Sequence, residues 1–132
     1  MPDSGARQAR FARLAETLVE ASPDALIAMS PAGEILFWNH AAATIFGYTE
    51  SEAVGHSLFD LIVPADRVEE TRKALAATLE TGASAFESVR RTKDGSLILV
   101  DVAKRAVRDT KGDVDIQCAI HPQMRMKVKV TR

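Results

Sequence analysis

The spacing of apolar positions along this chain changes period more than once. From residue 6 to 21, Phe11, Leu14, Leu18 and Ala21 recur at helical intervals, with Arg7, Arg10, Arg13 and Glu16 at the positions between. This predicts an amphipathic helix with a narrow apolar stripe. The stripe needs a partner surface, either its own domain or a second copy of the chain. Residues 1–5, with Pro2, Ser4 and Gly5, read as a disordered start. Two β-type runs follow, Ala25–Met29 and Ile35–Trp38, with the turn residues Pro31-Ala32-Gly33 between them. That pattern predicts a hairpin. Asn39 precedes the Ala-rich segment His40–Phe46, which predicts a short helix capped by the Asn side chain and closed by Gly47. Thr49 or Ser51 can cap a second small helix carrying Glu50, Glu52 and Ala53, which ends at Gly55. Leu58, Phe59, Leu61, Ile62 and Val63 are too apolar for a surface loop, and Pro64 breaks that run.

Ala65–Thr81 reads as the longest helix, with Val68, Leu75, Ala76 and Leu79 on one face and Glu69, Glu70, Arg72 and Lys73 towards water. Asp66 is placed to cap its first turn, and Gly82 ends it. Three β-type runs then occupy 84–92, 96–108 and 113–121, joined by Lys93-Asp94-Gly95 and by Asp109-Thr110-Lys111-Gly112. Two strands, a helical middle and three strands predict an α+β domain: one five-stranded antiparallel sheet with helices over one face. Beyond it, Pro122 blocks simple continuation of a central strand. Met124, Met126, Val128 and Val130 alternate with Arg125, Lys127 and Lys129, which argues for a strand; the alternatives are a solvated basic tail and a strand added to a partner's sheet.

Composition narrows the function classes. At 132 residues, 46% hydrophobic and 27% charged, the chain suits one core. Lys plus Arg is 17 against 18 for Asp plus Glu, which disfavours a nucleic-acid surface. The single cysteine, Cys118, excludes an internal disulfide framework and a Cys-rich metal site. No run approaches a membrane span of about 20 apolar residues, and the polar N-terminus has no signal-peptide core, so the expected location is cytoplasmic. No nucleophile motif, metal-ligand cluster or Gly-rich phosphate loop is present, so no catalytic or metal residue is assigned.

The ordered motifs Ser22-Pro23-Asp24-Ala25, Gly33-Glu34-Ile35, Asn39 with Ala41-Ala42, Phe46-Gly47-Tyr48-Thr49, Glu52, Gly55, Pro64-x-Asp66-Arg67 and Arg91-x-Lys93-Asp94-Gly95 resemble the PAS domain family over about residues 20–121. The resemblance implies a PAS fold at 22–121. It also implies a flanking helix at 1–21 that dimerises through Phe11, Leu14 and Leu18, and a basic tail or linker to an output domain at 122–132. It further implies a non-enzymatic bacterial sensor, of the kind found in two-component systems and transcription regulation, that takes a small ligand or a protein partner and signals through a homodimer. Function still sits in the site rather than in the fold.

The alternative is a heme or flavin sensor. His56, after Gly55 at the expected pocket border, is the candidate heme ligand, whereas His40 and His121 read as outward. Heme-binding members carry their His on the long helix, at the position of Glu70 here. The light-sensing branch has Gly-Arg-Asn-Cys where this chain has Gly55-His56-Ser57-Leu58, and its last-strand Gln corresponds to Ile120. Neither cofactor is favoured; non-covalent FAD remains open. Cys118 reads as a small core side chain. The expected pocket is an apolar concavity for a small apolar ligand, lined by Ile27 and Met29, Phe37, Ile45, Leu58 and Ile62, Leu75, Phe86, Ile98 and Val100, and Ile120. The same residues would equally fill a core.

Overall fold

The computed structural model describes residues 4–108 and 111–128. Expectations for residues 1–3, for Asp109 and Thr110 in the second turn, and for 129–132 lie outside the described residues. The elements are α1 (Ser4–Ala21), β1 (Ala25–Met29), β2 (Ile35–Trp38), α2 (His40–Phe46), α3 (Glu50–Ala53), α4 (Leu58–Ile62), a 3-10 turn (Ala65–Arg67) leading into α5 (Val68–Thr81), β3 (Ala83–Arg91), β4 (Leu97–Arg108) and β5 (Val114–Val128). The strands form one antiparallel sheet in the order β2-β1-β5-β4-β3. Helices α2 to α5 cover its inner face, as the strand-helix-strand pattern predicts.

Register fixes what each face carries. One inner row runs Trp38, Ile27, Cys118, Lys104, Ser84, and the next runs Ala25, Ile120, Val102, Phe86. The fully buried core gathers Trp38, Phe46, Ile27, Met29, Ile35, Leu58, Ile62, Ile116 and Ile120 on this side. The outer face carries Leu26, Ala119, Ala103 and Ala85 in one row, and Phe37, Ala28, Gln117, Arg105 and Ala83 in the next.

Asn39 ties three elements together. Its Oδ1 accepts from the Ala42 N–H at 2.9 Å, capping α2, and from the Leu26 N–H at 3.0 Å, and its Nδ2 donates to the Val19 carbonyl at 2.8 Å and the Asp24 carbonyl at 3.1 Å. A second latch holds the tip of the β3–β4 hairpin. Gly47, left-handed with φ 87°, closes α2, and the Lys93 N–H donates to the Phe46 carbonyl at 2.8 Å. Lys93 Nζ pairs with Glu52 at 2.7 Å. Glu52 also accepts from the Thr49 N–H, while its own N–H donates to the Thr49 hydroxyl, which forms a capping box.

Several expectations need correction. Helix α1 begins at Ser4, inside the segment expected to be disordered. Asp66 lies in the 3-10 turn and makes no side-chain cap, because α5 starts at Val68 after Arg67. The inner face of α5 is Thr71, Leu75 and Thr78, with Ala76 and Leu79 exposed. The two threonines can be buried because their hydroxyls donate to the carbonyls four residues back, Arg67 and Ala74, at 2.8 Å each. Strand β5 also runs on to Val128, paired with the chain's own β4. Pro122 is tolerated because β1 pairs with β5 only as far as Ile120, so the proline has a ladder on one side only.

Asn39→Ala removes one helix cap and leaves three other backbone groups without their partner, so urea unfolding should show a loss of about 2–4 kcal/mol. Lys93 first, then the Thr49 N–H, holds the Glu52 carboxyl below its ordinary value of 4.5. A lowered folded value gives a contribution that is complete above the unfolded value and is lost as pH falls through the folded one. Glu52→Gln should therefore lower stability at neutral pH and flatten the acid side of a stability-against-pH curve, so that variant and wild type converge at low pH.

Candidate functional site

The interior holds charge that the apolar pattern does not announce. Strand β3 turns Ser84, Phe86, Ser88 and Arg90 towards α5, and Ser88 and Arg90 are buried. The Arg90 side chain is fully buried and its guanidinium lies 5.9 Å from the centre of the Phe86 ring. Its Nη1 donates to the Ser88 hydroxyl at 2.9 Å and to the Val89 carbonyl at 3.0 Å. The Ser88 hydroxyl donates to Glu70 at 2.6 Å, and the other Glu70 oxygen lies 3.4 Å from Arg67 Nη1. Arg67 and Glu70 are partly exposed, so a polar path leads from the surface at the start of α5 to the buried guanidinium.

Two guanidinium nitrogens, Arg90 Nε and Nη2, have no hydrogen-bond partner and no contact with solvent. Burial pushes Arg90 down to about 10, and the Glu70 carboxylate pulls in the opposite direction. At neutral pH the group is still a cation. Burying a charge without a direct counter-ion is costly. A second buried cation, Lys104, donates from Nζ to Cys118 Sγ at 3.1 Å. Among the described residues no cluster of three or more His, Cys, Asp and Glu side chains is placed to hold a metal.

The expected pocket residues divide among three places. Ile27, Met29, Leu58, Ile62, Leu75, Val100 and Ile120 are buried together in the core. Phe86 is partly buried against that core, next to Arg90. Ile45 and Ile98 line a surface cleft of about 400 Å³ between the end of α2 and the β3–β4 hairpin. Phe37 lies on the other face of the sheet: it pairs with Ala28 and borders an apolar groove of about 380 Å³ under α1. A register shift between Ala28 and Met29 brings Ile35 and Trp38 inward and puts Phe37 outside. Ser88, Arg90 and Lys104 had no place in the expected pocket. Their alternation with Phe86 and Val102 was the available signal, and their polarity masked it.

The residues do not fit a histidine-ligated heme. His40, His56 and His121 are all exposed, and His121 pairs with Asp24 at 2.7 Å. Glu70, at the family's heme-ligand position, is engaged with Ser88 and Arg67. Leu58, in place of the flavin-reactive cysteine, is fully buried in the core.

The outer side offers a different kind of surface. Helix α1 turns Ala15 and Val19 towards the sheet, while Phe11, Leu14 and Leu18 are 72%, 53% and 72% exposed. Beside the helix, the alanine floor of the sheet is open. No helix among the described residues is long and apolar enough to cross a membrane.

A sequence profile of the PAS fold matches residues 13–122. A stretch of 65 residues is 35% identical to a protein of Azorhizobium caulinodans described as uncharacterized, covering 49% of this chain and 9% of that protein. The matched stretch thus spans about a tenth of the length of that relative. Among solved structures, the PAS domain of an HTR-like protein from Haloarcula marismortui superposes with a TM-score of 0.77 at 24% identity, over 90% of this chain and 97% of that one. A PAS domain from a two-component sensor histidine kinase gives 0.74 at 14% identity, over 88% and 99%. At these identities the likeness concerns the fold.

Replacing Arg90 tests how its charge is held. Arg90→Met keeps the length and removes the charge. Two of the buried N–H-bearing nitrogens of Arg90 have no partner, so an apolar side chain of similar length removes a desolvation cost, and the Tm of the variant should rise by a few degrees. A fall would show that the guanidinium is a structural strut.

Proposed function

This chain belongs to the PAS family, whose members are sensory modules of signalling proteins, and we propose that it acts as a non-catalytic sensor that works as a homodimer within a larger protein. The observation that carries this reading is the exposed stripe Phe11, Leu14 and Leu18. Helix α1 already has a face on its own sheet, built from Ala15 and Val19. The larger apolar side chains point the other way, and covering them is favourable at roughly 25 cal/mol per Å². A second copy brings an identical stripe, which a two-fold interface makes self-complementary. The open alanine rows of the outer face continue that surface.

In this reading the interior between the sheet and α5 receives the signal, and α1 with the outer face carries it. A ligand shifts the dimer only by its difference in affinity for two states. The fold likeness to a sensor histidine kinase domain supports an output segment elsewhere in the full protein, and residues 122–132 are the proposed connection on the C-terminal side. The heme and flavin readings gain no supporting side chain from the interior.

Sedimentation of the chain should show a concentration-dependent dimer. The double change Leu14→Asp with Leu18→Asp should weaken it at least about tenfold, as expected when central apolar contacts are lost, with the circular-dichroism melt nearly unchanged. A monomer at every concentration, or a dimer indifferent to the double change, would refute this surface.

A further inference from the structure

We propose that the interior takes a small carboxylate on the free edge of Arg90; this rests on the sensory reading above and names its ligand class. The three guanidinium nitrogens of Arg90 differ in their partners. Ser88 and the Val89 carbonyl both engage Nη1. The unpartnered pair is Nε and Nη2. These two nitrogens share one edge of the planar group and present two parallel N–H bonds. That is the side-on fork which matches the two oxygens of a carboxylate. Single acceptors can satisfy one N–H each, whereas a carboxylate satisfies both and neutralises the charge.

Charge points the same way. Glu70 lies between Arg67 and Ser88, so the group Arg67, Glu70 and Arg90 carries one net positive charge. Lys104 adds another buried cation whose partner is a thiol. A monoanion at Arg90 offsets the first of these. The surroundings select what accompanies the carboxylate. Opposite Ser88 and Phe86, on the same inner face, stand Val100 and Val102, both buried. With the Phe86 ring beside the guanidinium, they form an apolar wall. The ligand is therefore a small aliphatic or aromatic monocarboxylate, with its tail on that wall. Its way in is the start of α5, where Arg67 and Glu70 are partly exposed. Because Glu70 reaches Arg90 through the Ser88 hydroxyl, an anion on Arg90 acts on the hydrogen bond that joins β3 to α5.

The test is titration of the 15N-labelled full chain with propionate and benzoate, against propionamide and benzamide at constant ionic strength. The readout is the Arg90 Nε–H resonance, assigned by its loss in Arg90→Lys. A saturable downfield shift with a carboxylate, absent with its amide, is expected, together with a rise in Tm. That rise should vanish in Arg90→Lys and Arg90→Met and persist in Glu52→Gln. The proposal is overturned if no carboxylate shifts the resonance up to about 10 mM, which is already weak binding. It is also overturned if the amides act equally, if phosphate alone acts, or if the Tm rise survives Arg90→Lys. Sedimentation of the same samples separates the two readings: a dimer in samples whose Arg90 resonance and Tm ignore carboxylates removes this ligand class and leaves the dimer standing.

Discussion

The carboxamide of Asn39 is the fastening on which the arrangement of this domain depends. It is 1% exposed, and its two polar atoms satisfy four backbone groups from three stretches of chain: the end of α1 with the segment before β1, β1 itself, and the first turn of α2. The flanking helix, the first strand and the helical layer thus share one polar atom set. Asn supplies, on one short side chain, an oxygen that accepts two hydrogen bonds and an NH2 that donates two. Trp38 next to it is placed by the same junction. Its indole N–H donates to the Tyr48 carbonyl at 2.8 Å, and its ring lies 5.7 Å from that of Phe46.

The second constraint is the polar seam between α5 and β3. Most of the helical layer rests on the sheet through apolar contact. Here the contact is made by Thr78 with Ser84 at 2.7 Å and by Glu70 with Ser88 at 2.6 Å, ending on Arg90. Hydrogen bonds are directional, so such a seam has fewer acceptable arrangements than an apolar one. The outer face beside α1 and this seam lie on opposite sides of one sheet. Strand β4 carries both, with Val102 and Lys104 inward and Ala103 and Arg105 outward.

Much of the fold was legible before any coordinates. Asn39, Gly47 and Gly82 act locally, and the caps they predict are present. Strand boundaries agree to within a residue or two, apart from the far end of β5, where Pro122 suggested a stop. The proline was judged as if it had neighbours on both sides, and that depends on how far β1 reaches. The candidate site was much less legible. Most of the apolar residues expected to line a pocket are buried in the core, because hydrophobicity marks buried positions, yet Phe37 satisfied that rule on the other face. Ser88, Arg90 and Glu70 were passed over because polar residues usually face water.

What the sequence determined by itself is whatever depends on near neighbours in the chain: the periods of the strands and helices, their caps and turns, and the ordered motifs that mark the family. Those effects act over one to four residues and carry their own signature. Only the tertiary structure decided which parity of each strand faces α5, and that Glu70 meets Ser88 eighteen residues away. It also decided that the two remaining nitrogens of Arg90 stay without partners in the interior. Alternation makes the two faces of a strand distinct, but long-range pairing and the register shift in β1 choose between them, and neither can be read from local spacing.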